Sequence, residues 1–301
     1  MLQRIPSILI LALLSGATTA AAEGVAAPGP DIHFLNERGH IERGVRCATP
    51  TPGREEAARV ERELSQQQAL FGAARPPRGI QIPVAFHVIY SDTRKNGIQG
   101  YVESSQVQAQ IDVLNDAFSA TGYFFYLSEL DYVQRNNWFT GCYGAERPMK
   151  KALTVDTANT LNIYSCRPNG NILGYAYLPW SYPEDHYLHG VVALYSSLPG
   201  GTAAPYNEGD TITHEVGHYL GLYYTFRGGC NEPGDFVADT PAEASPAYGC
   251  PTGRDSCPSD GPDPITNFMD YVDDFCMDEF TSDQGVRIDE SVALYKPSLL
   301  D

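Results

Sequence analysis

The 301-residue sequence predicts an α/β (α+β) fold, and three observations carry that expectation. Ile82, Val84, Phe86 and Val88 alternate with other residues, the period-two pattern of a strand. Val107, Ile111, Leu114 and Phe118 recur at helical spacing, so a helix is expected over about Glu103 to Ser119. The stretch from Gly228 to Pro264 is rich in Gly, Pro, Asp and Cys and poor in apolar residues, so disulfides rather than burial must tie it down.

Elements follow in order. Residues 1–22 read as a signal peptide: Arg4 is the positive start, Ile8 to Leu14 the short apolar core, and Ala20-Ala21-Ala22 the cleavage site. The mature chain is expected to be secreted, with no membrane partner. Residues 23–79 read as a pro-segment with proline-rich breaks, ending in Arg75 and Arg78 as sites for proteolytic release. Between the breaks, Glu55 to Phe71 is expected to be a helix with a narrow apolar stripe at Val60, Leu64 and Phe71. Residues 80–301 read as the globular domain. Its first strand carries His87, expected to be structural. Tyr123 to Leu127, Leu161 to Tyr164, Gly174 to Pro179 and Val191 to Tyr195 read as strands, and Met149 to Leu153 as a short helix. Asp210 is a candidate helix cap, and Thr281-Ser282-Asp283-Gln284 a capping box.

The formal charge of -17 repels phosphates and excludes a nucleic-acid partner. Charged residues make up only 19% of a chain that is 43% hydrophobic, which suits a packed core, and a monomer is expected.

Chemistry concentrates in His214-Glu215-Val216-Gly217-His218-Tyr219-Leu220-Gly221. Two imidazoles four residues apart share one helix face and can reach one metal ion. Glu215 lies between them, placed as general base toward a water held by the metal. Gly221 suits a left-handed residue that ends the helix and turns the chain back. In metzincin proteases the third ligand follows three residues past that glycine. Here the position is Tyr224. Downstream, Asn267-Phe268-Met269-Asp270-Tyr271 fits a Met-turn.

His214 to Phe226, Gly228-Gly229-Cys230, Asp239-Thr240-Pro241, Gly253 to Cys257 and Asn267 to Tyr271 together resemble the pappalysin-type metzincins. Within that group the likeness is to secreted fungal and bacterial extracellular metalloproteases, over about Ile80 to Arg287. The resemblance implies a metzincin-like catalytic domain: a twisted mixed sheet, an active-site helix, a Met-turn and a disulfide-tied lower part. It implies zinc held by His214 and His218, with Glu215 as base and protein or peptide substrates. Tyr271 is a further catalytic candidate and Met269 the Met-turn residue. Tyr224 stands on the third ligand position, with three outcomes open: its phenolate ligates zinc, a water or a nearby acid takes the place, or the metal is lost. The functional readings are a zinc endopeptidase, or a secreted pseudoprotease or binding protein with a weakened metal site. Asp235, Asp239 and Glu243 are candidate calcium ligands.

Seven cysteines leave at least one unpaired. The resemblance implies Cys230–Cys257 and Cys250–Cys276. Cys142–Cys166 then remains as a third pair and Cys47 stands alone. Cys47 lies in Arg46-Cys47-Ala48-Thr49-Pro50, which resembles the C-G-T stretch of the family's pro-segments, so it is the candidate latch over the metal.

Overall fold

The computed structural model describes residues 31–71, 79–231, 233–258 and 261–300. The expected signal peptide, Arg75 and Arg78 lie outside these residues.

The described residues open with a hairpin, β1 (Asp31–Leu35) against β2 (Ile41–Val45), followed by a helix α1 (Arg54–Phe71). We call residues 31–71 the arm. The body begins at β3 (Ile80–Thr93) and β4 (Gly97–Gln99), which pair antiparallel at the end of β3. Helix α2 (Ser104–Phe118) leads to β5 (Tyr123–Gln134). Two short helices follow, α3 (Asn136–Phe139) and α4 (Glu146–Leu153), then β6 (Leu161–Cys166), β7 (Gly174–Tyr175) and β8 (Val191–Leu194). Helix α5 (Asp210–Tyr219) bears the two histidines, and α6 (Ser282–Tyr295) closes the fold.

The sheet is mixed. β5, β3, β6 and β8 run parallel in that spatial order, and β7 pairs antiparallel with β8 at the edge. Both faces are covered, as a parallel sheet requires. Ile82, Val84, Phe86 and Val88 point into the larger core with α2, α5 and α6. Ile89, Tyr164 and Val192 point the other way, to Phe139, Met149 and the Cys142–Cys166 disulfide. His87 sits within this sheet, between Asp131 (2.8 Å) and the Asn162 amide oxygen (3.0 Å).

Near the site, two elements differ from the sequence expectation. The strand expected over Gly174 to Pro179 stops at Tyr175, because the next amide, of Ala176, donates to the Thr49 hydroxyl instead of continuing the ladder. Asp210 does not cap α5. Gly209, with φ 109, is the N-cap and Asp210 the first helical residue. The left-handed turn at Gly209 is fixed from outside, where the Gln110 amide donates to its carbonyl. The capping box at Thr281 is present, with Thr281 and Gln284 exchanging side-chain and backbone bonds.

Disulfides Cys230–Cys257 and Cys250–Cys276 hold the irregular segment after α5. Cys47 is free and buried. Helix α1 lays Val60 and Leu64 against Leu178, Trp180 and Tyr223. Its Glu61 makes a two-pronged ion pair with Arg287 on α6.

Candidate active site

All ten residues of α5 are buried. His214 and His218 lie one helical turn apart, and their Nε2 atoms approach to 3.1 Å. The Nδ1 of His214 meets the Phe268 carbonyl at 2.7 Å, and that of His218 meets the Leu222 carbonyl at 2.8 Å. A carbonyl only accepts, so each Nδ1 carries the proton. Burial keeps both rings neutral: it holds His214 well below the usual histidine value and lowers His218 to about 4. Each Nε2 is therefore a bare lone pair, and the two face each other. Two acceptors at that separation repel unless a cation sits against both. This is the arrangement of metal-binding histidines, whose far nitrogen is oriented by a backbone carbonyl. Cys47 completes the only three-residue group among the described residues able to hold a metal ion, its sulfur and the two imidazoles lying within 4.8 Å of one another. Nitrogen and sulfur donors suit zinc.

Beneath the pair, Met269 is fully buried. A side chain on Gly217 would run into its sulfur, so this glycine is what lets the methionine pack under the helix. At Gly221 the chain turns with φ 109, and the Leu222 amide reaches back to the Gly217 carbonyl. The turn delivers Tyr224, whose ring lies edge-on to His218 at 4.4 Å between centroids. Its hydroxyl does not join the imidazoles. It donates to the Thr49 carbonyl at 2.9 Å and lies 3.0 Å from the Cys47 sulfur. Tyr271 is buried beside it, with ring centroids 5.5 Å apart.

The arm crosses this cleft. The Leu173 amide donates to the Val45 carbonyl and the Ala48 amide to the Gly174 carbonyl, so the segment runs along the β7 edge. The Thr49 hydroxyl donates to Glu215 Oε2 at 2.7 Å while accepting from the Ala176 amide. The Cys47 thiol is a second polar neighbour of the Glu215 carboxylate. Burial raises the Glu215 carboxyl to about 7, against the pull of Cys47, Thr49 and Arg46. Arg46 is wholly buried. Its guanidinium donates to the Thr211 hydroxyl (2.8 Å), faces Asp274 (3.4 Å) and lies over the Tyr206 ring.

Asp235, Asp239 and Glu243 are not gathered at one point. Asp235 accepts from Thr240 and the Val237 amide, Asp239 from the Asp283 amide, and Glu243 from Thr225 and Arg254. Asp235 and Asp239 line one cavity of about 890 Å³. Sequence reasoning missed Thr49, Arg46 and Asp274.

A family model described as pregnancy-associated plasma protein-A matches residues 156–293. An extracellular metalloprotease of Sordaria macrospora is 42% identical over 95% of this chain and 95% of its own. The chain belongs to the pappalysin family of metalloproteases. An extracellular metalloprotease of Neurospora crassa is 41% identical over 89% of this chain and 93% of its own. Among solved structures, a Tannerella forsythia promirolysin mutant matches with TM-score 0.66 and 26% identity, over 82% of this chain and 92% of that one. Mature mirolysin in complex with a cleaved peptide matches with TM-score 0.59 and 26% identity, over 75% of this chain and 100% of that one. Membership implies a metal cofactor, and the buried pair of bare imidazole nitrogens fits one. The metzincin-like fold expected from the sequence is present.

Proposed function

We propose that this chain is a secreted zinc endopeptidase made in a latent form. His214 and His218 hold zinc, and Glu215 is the general base that later hands its proton to the leaving amine. Zinc there supplies Lewis acidity for activating water and polarising a peptide carbonyl. The observation that carries the reading is the facing pair of bare Nε2 atoms with Glu215 on the same buried helix. Secretion is supported by relatives named extracellular, and no described helix is long and apolar enough to cross a membrane.

The arm is the pro-segment and Cys47 its latch. Thr49 occupies the carboxylate that must take a proton, and the Cys47 sulfur lies where substrate must approach. The larger share of this chain matched by promirolysin than by mature mirolysin supports this. Once the arm leaves, the pocket of Arg46, floored by Asp274, suits a basic substrate side chain. Calcium bound at Asp235, Asp239 or Glu243 would use each acid separately, with backbone oxygens.

The test is Glu215→Ala in linker-cleaved protein. Casein cleavage should vanish while zinc stays at the level that linker-cleaved wild type holds, because the glutamate is a base and not a ligand. Loss of zinc from a folded variant would overturn the role. The second reading, a secreted binding protein with a weakened metal site, is favoured by the engagement of Tyr224 with the arm rather than the histidines. Wild type that holds zinc yet cleaves nothing after linker cleavage would establish it.

A further inference from the structure

We propose that in this chain the arm supplies the third metal ligand: Cys47 completes the set with His214 and His218, while Tyr224 grips the arm. The inference rests on the zinc reading above and goes past it. Where three histidines hold a metal, an arm sulfur is a surplus ligand that only blocks. Here the position three past Gly221 is a tyrosine, so the body offers two imidazoles.

Three observations fix the assignment. First, the Tyr224 hydroxyl is already committed. It spends its proton on the Thr49 carbonyl and borders the Cys47 sulfur, both groups of the arm. Its ring is packed in place against Phe226 and Tyr271, at centroid distances of 4.9 and 5.5 Å. Second, the Cys47 sulfur is outside every disulfide, buried, and within 4.8 Å of both histidine ligand atoms. The Thr49 amide donates to it at 3.3 Å, which fixes where the sulfur sits. Third, the sulfur is held in position by its neighbours. Arg46 is anchored on Thr211 and Asp274, the Ala48 amide on Gly174, and the Thr49 hydroxyl on Glu215. A ligand held this way loses little freedom when it binds.

Two consequences follow. Metal and arm are bound together, each tightening the other by the same factor. Release of the arm removes a ligand as well as a plug, so the exposed site loses metal more readily than a three-histidine site.

The experiment uses the full chain and measures zinc affinity by competition with a chromogenic chelator. Cys47→Ser should weaken zinc by at least about tenfold, the scale already reached by losing a supporting contact to a ligand. Tyr224→Phe should weaken zinc much less than Cys47→Ser does, and only through the loosened arm. Adding Tyr224→His to Cys47→Ser should restore binding, and its recovery shows that the serine variant is folded. The cobalt-substituted wild type should show a sulfur-to-cobalt charge-transfer band, so the inference stays testable even if Cys47→Ser fails to fold. Unchanged zinc affinity in Cys47→Ser, a loss in Tyr224→Phe as large as that expected for Cys47→Ser, or a wild type without the cobalt band overturns the inference while leaving the zinc reading standing. No zinc in either wild type or Tyr224→His overturns both.

Discussion

The arm grips the body at two places, and the two grips use different physics. In the cleft the contacts are polar and directional. Arg46, Cys47 and Thr49 are buried, and each meets named partners on α5, the turn after it, the end of β7 or the segment that follows the Met-turn. On the flank, α1 relies on area: Val60 and Leu64 cover Leu178, Trp180 and Tyr223, with the Glu61–Arg287 pair beside them. A one-residue slip in the cleft would turn Cys47 and Thr49 away from the histidines and Glu215, since side chains of extended chain alternate faces. Burial on the flank is non-directional, so a shifted helix forfeits area rather than chemistry. The cleft therefore sets register, and the flank adds adhesion.

The largest expected effect separates the grips by pH. Burial lifts Asp210 to about 8 and Asp274 to about 6, with Arg46 pulling both down. In the unfolded chain both lose their protons near pH 4, the usual value of about 3.9. The folded state then holds more protons through that window, so stability falls as pH rises from about 4 to about 8. On the flank the sign reverses. The Tyr295 hydroxyl, and then Arg59, lower Glu63, whose contribution is present above its usual value and lost in acid. The Glu63 side chain is 38% exposed, so the effect is screened. In the cleft, the lowered His214 and His218 work against the two carboxyls below about pH 6.5. The melting temperature of metal-free full chain should therefore fall between about pH 6.5 and about pH 8. Asp210→Asn should make that fall shallower, leaving the share of Glu215, Glu243 and Asp270. A flat wild-type curve would remove the distinction.

Next in size is Arg46→Met. It keeps the apolar stem but leaves Asp274 and Asp210 without their cation in a buried pocket. Removing one partner of a buried pair costs about 3–5 kcal/mol. Urea unfolding measures it, and a loss below about 1 kcal/mol would place Arg46 with ordinary surface ion pairs.

How much of this was legible in the sequence depended on how local the signal was. His214, Glu215 and His218 lie within one helical turn, so their spacing announces their shared face. The capping box at Thr281 is equally local. Thr49 and Arg46 were missed because their partners stand 127 to 228 residues away, where no pattern connects them. One signal was available. Pro50 biases Thr49 toward extended chain, and extended chain puts Cys47 and Thr49 on one face with Arg46 on the other. The outer half of β5, read as ending at Leu127, runs to Gln134 because pairing with β3 holds residues too polar to look like a strand. The β1–β2 hairpin went unforeseen, since its strands are short and its turn, Asn36 to His40, is charged rather than Asn-Gly.

The smallest expected effect tests whether the two grips are separable. Leu64 is 4% exposed and packs with Val60 on the aromatic patch of the body. Leu64→Ala removes that contact and leaves a cavity which the arm, joined to the body through residues 72–78, can partly close, so the cost should be about 2–3 kcal/mol. The informative readout is the thiol. The Cys47 sulfur is held by the Thr49 amide and the Tyr224 hydroxyl, and the preceding residue, Arg46, is anchored on Asp274; none of these bonds involves α1. In Leu64→Ala the thiol should stay as slow toward a thiol reagent as in wild type, whereas Arg46→Met should expose it. If Leu64→Ala speeds Cys47 labelling as much as Arg46→Met does, loosening α1 frees the cleft segment too, and the arm docks as one cooperative unit whose register is set along its whole length.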